Sequence, residues 1–420
     1  MGAKGLFRVA WAVSPMLLAI TALGRLGQNA GQTTYPLVAR NLLHLSNTTV
    51  GEMGAVAGVA AVGCATQLVG RSRSSHTLTL IAVGQFLGLV AFVILATPTG
   101  SAGVWAAAVA LGAGGGLAFP ALMTAIAAGP AHERAKALAV FSLALSVSLL
   151  AGPLIEAGIL RVMGDSLRAT FAVLIPLPAA ATATSVVAVM RQHRRADSGH
   201  HLNARPFGQR SADKTERFSW REAPAFKLAV TVMLTYQVPF SALIAFGALL
   251  ARNTDHTSAA GAEIAFGVFF AVSFAIRGIL AFVSMRQTTS ALLAVSVVAT
   301  VVGVALLASA RGLGLLLTAV AVLGIPHGAT FPLASGILAE RTPRHHLAAA
   351  NGRLMASANA ISIVVPLLSG WLASKVGYPH MFLSVELPVV VMGAVLLGQL
   401  RSSRSPLRDH NLAVGDLKLG

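Results

Sequence analysis

The sequence predicts an all-α membrane protein of twelve transmembrane helices, built as two parallel six-helix repeats, and three observations lead there. Of 420 residues, 55% are hydrophobic and only 11% are charged, too few polar side chains to coat a water-soluble globule of this length. The apolar residues gather into runs long enough to cross roughly 30 Å of hydrocarbon, which takes about 20 helical residues. Finally, the frame Leu-Gly-x-x-x-Gly-x-x-Phe-Pro occurs twice, as LGAGGGLAFP at 111–120 and LGIPHGATFP at 323–332, 212 residues apart.

In order, the runs lie near 11–38, 50–70, 78–97, 103–128, 138–160, 169–190, 228–251, 260–284, 290–310, 313–339, 349–374 and 380–400. None shows the strict alternation of a lipid-facing barrel strand, so helices are expected, since they satisfy their own backbone polar groups in lipid. The first run follows Lys4 and Arg8 and has the look of a secretory leader, but it continues past Gly24 to Val38 and has a counterpart in the seventh run. The start lacks the Ser or Thr at the sixth position that N-myristoylation requires. The fourth and tenth runs carry the repeated frame. VARN at 38–41, closing the first run, returns as LARN at 250–253, closing the seventh. Pro153 in the fifth run matches Pro366 in the eleventh, and Pro176 in the sixth matches Pro388 in the twelfth. Four matches in register make a duplication, and six crossings return the chain to its starting side, so the halves should be related by an axis along the membrane normal.

The domains expected are an N-terminal bundle over 1–190, a basic cytoplasmic linker over 191–226, a C-terminal bundle over 227–400 and a cytoplasmic tail over 401–420. The formal charge of +17 would suggest nucleic acid in a soluble protein. Its distribution says otherwise: 22 of the 31 Lys and Arg fall in the N-terminus, the even-numbered loops and the tail, against six in the odd-numbered loops. That is the positive-inside asymmetry, which places both termini in the cytoplasm and the chain in the cytoplasmic membrane without a nucleic-acid partner. Cys64 stands alone, excluding a disulfide framework or a cysteine zinc site.

With this topology, a long basic central loop and a Gly-Pro in the fifth helix at Gly152 and Pro153, the chain resembles the major facilitator superfamily of transporters over nearly its whole length. The local motifs depart from the family pattern. The loop after the second helix reads GRSRSS at 70–75, with the family's glycine and arginines but no aspartate. Ala108 stands near the place of the arginine that proton-coupled exporters carry in helix four, and Glu156 and Ala157 replace the Gly-Gly pair of the antiporter motif. The resemblance implies alternating access about a midplane site lined by helices one, five, seven and ten, in an efflux-like protein expected to be monomeric.

Ionisable groups inside the bilayer mark candidate sites, because each costs at least about 2.5 to 3.5 kcal/mol at the centre unless paired or wet. Arg25, Glu156, Arg277, His327 and Glu386 qualify. Depth counting at 1.5 Å per residue puts Arg25 about 21 Å and Glu156 about 27 Å from the cytoplasmic face, so the two are expected to meet. Arg277 and His327 fall slightly to the cytoplasmic side of centre and are expected to share a chamber. Glu386, before Pro388 on a peripheral helix, reads as structural. Asn29 and Gln32 follow Arg25 at i+4 and i+7, making a polar stripe, and helix seven answers with Gln237 at the position of Arg25 and Tyr236 beside it.

No enzyme motif competes. HERAK at 132–136 lacks the second histidine of a zinc protease, GAGGG at 112–116 lies within a membrane helix, and no Gly-Lys-Ser/Thr phosphate loop occurs. The expectation is therefore a secondary transporter without cofactor or metal, exporting a small organic solute against protons, with Glu156 releasing Arg25 on protonation and His327 as a second proton carrier. An anionic or polar substrate fits the basic candidates. The alternatives are an uptake symporter and a transport-dead sensor or scaffold; the linker and tail are too short for the soluble domain the latter would carry.

Overall fold

The computed structural model describes residues 15–69, 76–127, 134–197, 224–253, 257–282, 285–342 and 344–402. The GRSRSS loop, the first residues of HERAK, and most of the linker and tail lie outside them. The helices are α1 (Pro15–Leu37), α2 (Asn47–Gly63), α3 (Thr77–Ala96), α4 (Ser101–Ala127) and α5 (Arg134–Val162). α6 comes in two pieces, Leu167–Leu174 and Pro176–Asp197. α7 (Pro224–Asn253), α8 (Ala259–Phe282), α9 (Met285–Ser309) and α10 (Leu313–Arg341) follow. The helical stretch Arg344–Ser402 is interrupted at Gly377, whose φ of 79° only glycine adopts without strain, so it makes two helices, α11 (344–376) and α12 (378–402). Among the described residues twelve helices result.

Helix ends follow the local chemistry. Ser46 caps α2 by accepting the Thr49 N–H at 3.0 Å, and Ser166 caps α6 through Ala169 N–H. Gly164 and Asp165, both with φ near 60°, turn the chain between α5 and α6. α1 and α2 end in wider π-helical turns, Val38–Leu42 and Cys64–Val69, where the VARN sequence lies in the first.

Each packing in one half has its mate in the other: α3 on α4 and α9 on α10, α2 on α4 and α8 on α10, α3 on α6 and α9 on α12. The repeated frame explains one of these pairs. A Cβ on Gly112 or Gly116 would overlap the carbonyl oxygens of Ala57 and Ala61 on α2, while one on Gly324 or Gly328 would come within 2.6 Å of the carbonyl oxygens of Phe269 and Ser273 on α8. The glycines of the repeated frame thus hold equivalent helices at backbone contact. Between the halves, α2 meets α11, α5 meets α8 and α1 meets α7, a set that maps onto itself when the halves are exchanged. Central and peripheral helices differ as lipid exposure demands: 67% of the most apolar window of α7 is buried against 28% in α6, and large apolar side chains such as Val298, Trp371 and Leu387 face outward.

The frame glycines give a first prediction. Gly112→Leu and Gly324→Leu should each lower stability by about 1 to 3 kcal/mol through overpacking. Gly314→Leu, on the same α10 but with nothing within 4 Å of its Cβ position, should not. Thermal unfolding of the purified variants in detergent checks this.

Candidate functional site

The interface between the halves carries two polar layers. The rim formed by the odd-numbered connections (α1–α2, α3–α4, α5–α6, α7–α8, α9–α10 and α11–α12) serves as the reference face below, and the even-numbered connections form the opposite face.

The layer nearer the odd-loop rim is built by α1, α5 and α8. Glu156 and Glu263, both fully buried, approach from opposite halves and are bridged by the Thr34 hydroxyl. Thr34 Oγ1 lies 2.6 Å from Glu156 Oε1 and 3.2 Å from Glu263 Oε1, and Thr33 Oγ1 lies 3.1 Å from Glu263 Oε2. Glu156 Oε2 is buried with no partner. One turn below, Asn29 Nδ2 donates to the Leu149 carbonyl of α5 at 3.3 Å.

Arg25 is not part of this layer, which corrects the expected Arg25–Glu156 pair. Its Nη1 donates to Gln28 Oε1 at 2.8 Å, its guanidinium sits 5.1 Å over the Phe119 ring of α4, and Nε is buried without a partner. The partner of Glu156 on α1 is Thr34, nine residues beyond Arg25 and so about 13 Å further along the axis. Depth counted from guessed helix starts missed this, because α5 begins at Arg134 and carries Glu156 nearer the odd-loop rim than a start at 138 implies.

The second layer is deeper and aromatic. Tyr236 on α7, Arg277 on α8 and His327 on α10 come together: the Tyr236 hydroxyl is hydrogen-bonded to His327 Nδ1, Arg277 Nη2 approaches His327 Nε2 at 3.4 Å, and Arg277 Nη1 donates across the interface to Ser146 Oγ of α5 at 3.2 Å. A guanidinium only donates, so Nε2 accepts, Nδ1 carries the hydrogen and donates to the tyrosine oxygen, and the imidazole is neutral. The tyrosine hydrogen is then free to point elsewhere. Phe240, Phe269 and Phe270 surround the imidazole with ring centroids 4.8, 4.9 and 5.6 Å away. Gln237 turns instead to Ser362 on α11, at 3.0 Å, while Gln32 is half-buried, as is Glu386 on the peripheral α12.

Sequence reasoning missed Glu263, Thr33, Thr34 and Ser146. Glu263 stands inside the apolar run GAEIAFGVFF and is one of only 14 acidic residues in the chain, so the signal was present. It lies close to the start of α8, at the end of its apolar run, where an acidic residue carries no expectation of burial.

The odd-loop rim is fastened across the halves. Asp165 pairs with Arg252 at 3.3 Å and accepts the N–H groups of Ala259 and Ala260, both at 3.2 Å, at the start of α8. Tyr378 donates to Asn47 Oδ1 at 2.6 Å, Thr48 meets Ser374, and Gly51 packs on Gly370. Arg40, Asn41 and His44 from one half, with Arg252, Asn253 and Thr257 from the other, line a depression of about 530 Å³ at this rim. The repeated VARN and LARN segments thus face each other there.

Residues 243–415 match the sequence model of the Major Facilitator Superfamily, and no curated protein matches the chain. Among solved structures, it is similar to a bacterial homologue of the human lysosomal transporter Spinster in an inward-facing, occupied conformation, with 14% identity, a TM-score of 0.70, and 94% of this chain and 98% of that one covered. It is similar also to the nucleoside transporter NupG (13%, TM-score 0.66, covering 92% and 99%) and to a POT family transporter in complex with 5-aminolevulinic acid (12%, TM-score 0.70, covering 94% and 95%). Likeness at such identities speaks for the architecture, and the chain has the major facilitator fold.

Proposed function

We propose that the protein is a secondary transporter of the major facilitator type, moving a small anionic or polar organic solute across the cytoplasmic membrane by alternating access. The observation that carries this reading is the uneven interface. Among the described residues, the polar fastenings between the halves that lie outside the two buried layers gather at the odd-loop rim, while the Tyr236, Arg277 and His327 chamber lies deeper. Two bundles held along one rim can rock about a central site. The excess of basic residues in the even loops assigns that face and both termini to the cytoplasm, so the closed odd-loop rim faces outward.

Arg277 supplies the positive charge of the chamber, and its guanidinium has donors left over after Ser146 and His327. The free tyrosine hydrogen adds a donor and the phenylalanines an apolar wall. That combination suits a carboxylate or similar acceptor group attached to an apolar body. Glu156 is the coupling acid in this reading, and the direction is proton-driven export, which the Gly152–Pro153 element of α5 favours. Protein reconstituted in vesicles with a pH gradient should show proton movement that depends on added solute, read with an entrapped pH dye. A thermal-shift screen of organic acids identifies solutes to add. Vesicles in which a solute that binds moves no protons would remove proton coupling, and no flux of a bound solute would leave a scaffold.

A further inference from the structure

We propose that Glu156 and Glu263 form a single site for one shared proton, and that its occupancy holds the odd-loop rim shut. Donor counting requires the proton. The pair presents four carboxyl oxygens, and the donors that reach them are the hydroxyls of Thr33 and Thr34, with one hydrogen each. Thr34 touches both carboxyls, yet its hydrogen serves only one of them. Thr33 is shared further with the carbonyls of Asn29 and Ala30, at 3.2 and 3.3 Å. With both acids ionised, one Thr34 contact would set oxygen against carboxylate with no hydrogen between, and Glu156 Oε2 would stay buried and bare. One further hydrogen, on Glu156 Oε1 and donated to Thr34 Oγ1, resolves the first fault, since the threonine then donates onward to Glu263 Oε1, and it eases the second, since the bare Oε2 then belongs to a neutral acid.

No cation takes its place among the described residues. On α1, Arg25 is spent on Gln28 and Phe119; on α5, Arg161 lies beyond Glu156 at the helix end; on α8, Arg277 is fourteen residues from Glu263, engaged with Ser146 and His327. On α7, Arg252 is at the rim with Asp165, and on α10, His327 sits in the aromatic chamber. Two carboxylates with no counter-ion in a dry interface repel, so the halves close here only with a proton between them. Opening admits water and parts α5 from α8, the proton passes to water as hydronium, and two hydrated carboxylates remain. Closure takes one proton back. No other reactant is involved.

The proposal rests on the alternating-access reading but is tested without any solute. Spin labels at Val162→Cys and Arg311→Cys, on opposite halves of the odd-loop rim in a Cys64→Ala background, report closed and open populations in lipid by their separation. With one linked proton, the closed-to-open ratio should fall about tenfold per pH unit above the titration of the pair. Glu156→Gln and Glu263→Gln should each abolish that slope, leaving a closed-to-open ratio that no longer changes with pH, because the amide supplies the missing hydrogen permanently; Glu386→Gln should keep it. Infrared spectroscopy of the parent protein adds a check that needs no variant at the pair: a protonated carboxyl band present when the rim is closed and lost when it opens. A slope of zero or of two in the parent, a slope surviving either Gln substitution, or no such band overturns the proposal. The slope in a protein that moves no solute would sink the transport reading and leave this one standing.

Discussion

Vesicles carrying Arg277→Gln should bind and move an anionic solute between about ten and a hundred times less well than the parent, an effect of the size expected when a charge-assisted hydrogen bond worth roughly 1.5 to 3 kcal/mol is lost. Arg277 is half-buried, and two of its nitrogens already hold Ser146 of one half and His327 of the other. The substitution therefore removes the charge of the chamber and also one tie between the halves. A neutral solute of similar shape separates the two effects: its transport should fall by less than threefold if the arginine acts chiefly through charge. Titration of solute against intrinsic fluorescence measures binding. Equal losses for anionic and neutral solutes would mean that Arg277 acts only as a tie. Tyr236→Phe should repeat the pattern on a smaller scale, since the imidazole keeps its ring contacts and loses one partner.

Glu156→Gln should reduce gradient-driven flux to the level of empty vesicles and leave solute exchange between equal pools running. Glutamine has nearly the shape of the acid. Its amide nitrogen, in the place of Oε1, donates to the Thr34 oxygen and the Thr34 hydroxyl donates onward to Glu263, so the packing at the α1, α5 and α8 junction survives. What is lost is the ability to release a hydrogen. Exchange needs the rocking motion alone, whereas driven flux needs a proton carried in step with it. Driven flux at the parent level in this variant would remove Glu156 from the coupling path. Counterflow measured with labelled solute supplies the comparison, and loss of both activities would point to a damaged fold, which thermal unfolding would register.

Much of the architecture was legible because the forces that set it act locally on the chain. Apolar run length gives the spans. The doubled frame gives equivalent helices, down to the glycines that bring α4 onto α2 and α10 onto α8. The boundary between α11 and α12, read from an apolar gap, falls at Gly377. The site was legible only in part. Tyr236, Arg277 and His327 stood out as polar groups in apolar helices, and the fold brings all three together. The carboxyl pair was not read, because pairing across the halves depends on the axial register of α5 against α8 and α1, and no local pattern encodes it. Arg25 shows the same limit from the other side: it lies about 13 Å short of the level of Glu156 along α1 and packs on Phe119 instead.

The facing VARN and LARN segments set Arg40 and Arg252 at the mouth of a shallow funnel, with His44 between the two asparagine-bearing turns. Asp165 offsets Arg252 there, so Arg40 leaves the mouth weakly basic, and its pull on negatively charged molecules reaches about 8 Å at physiological ionic strength. Any anion that meets this rim should therefore do so faster in dilute buffer than in salt.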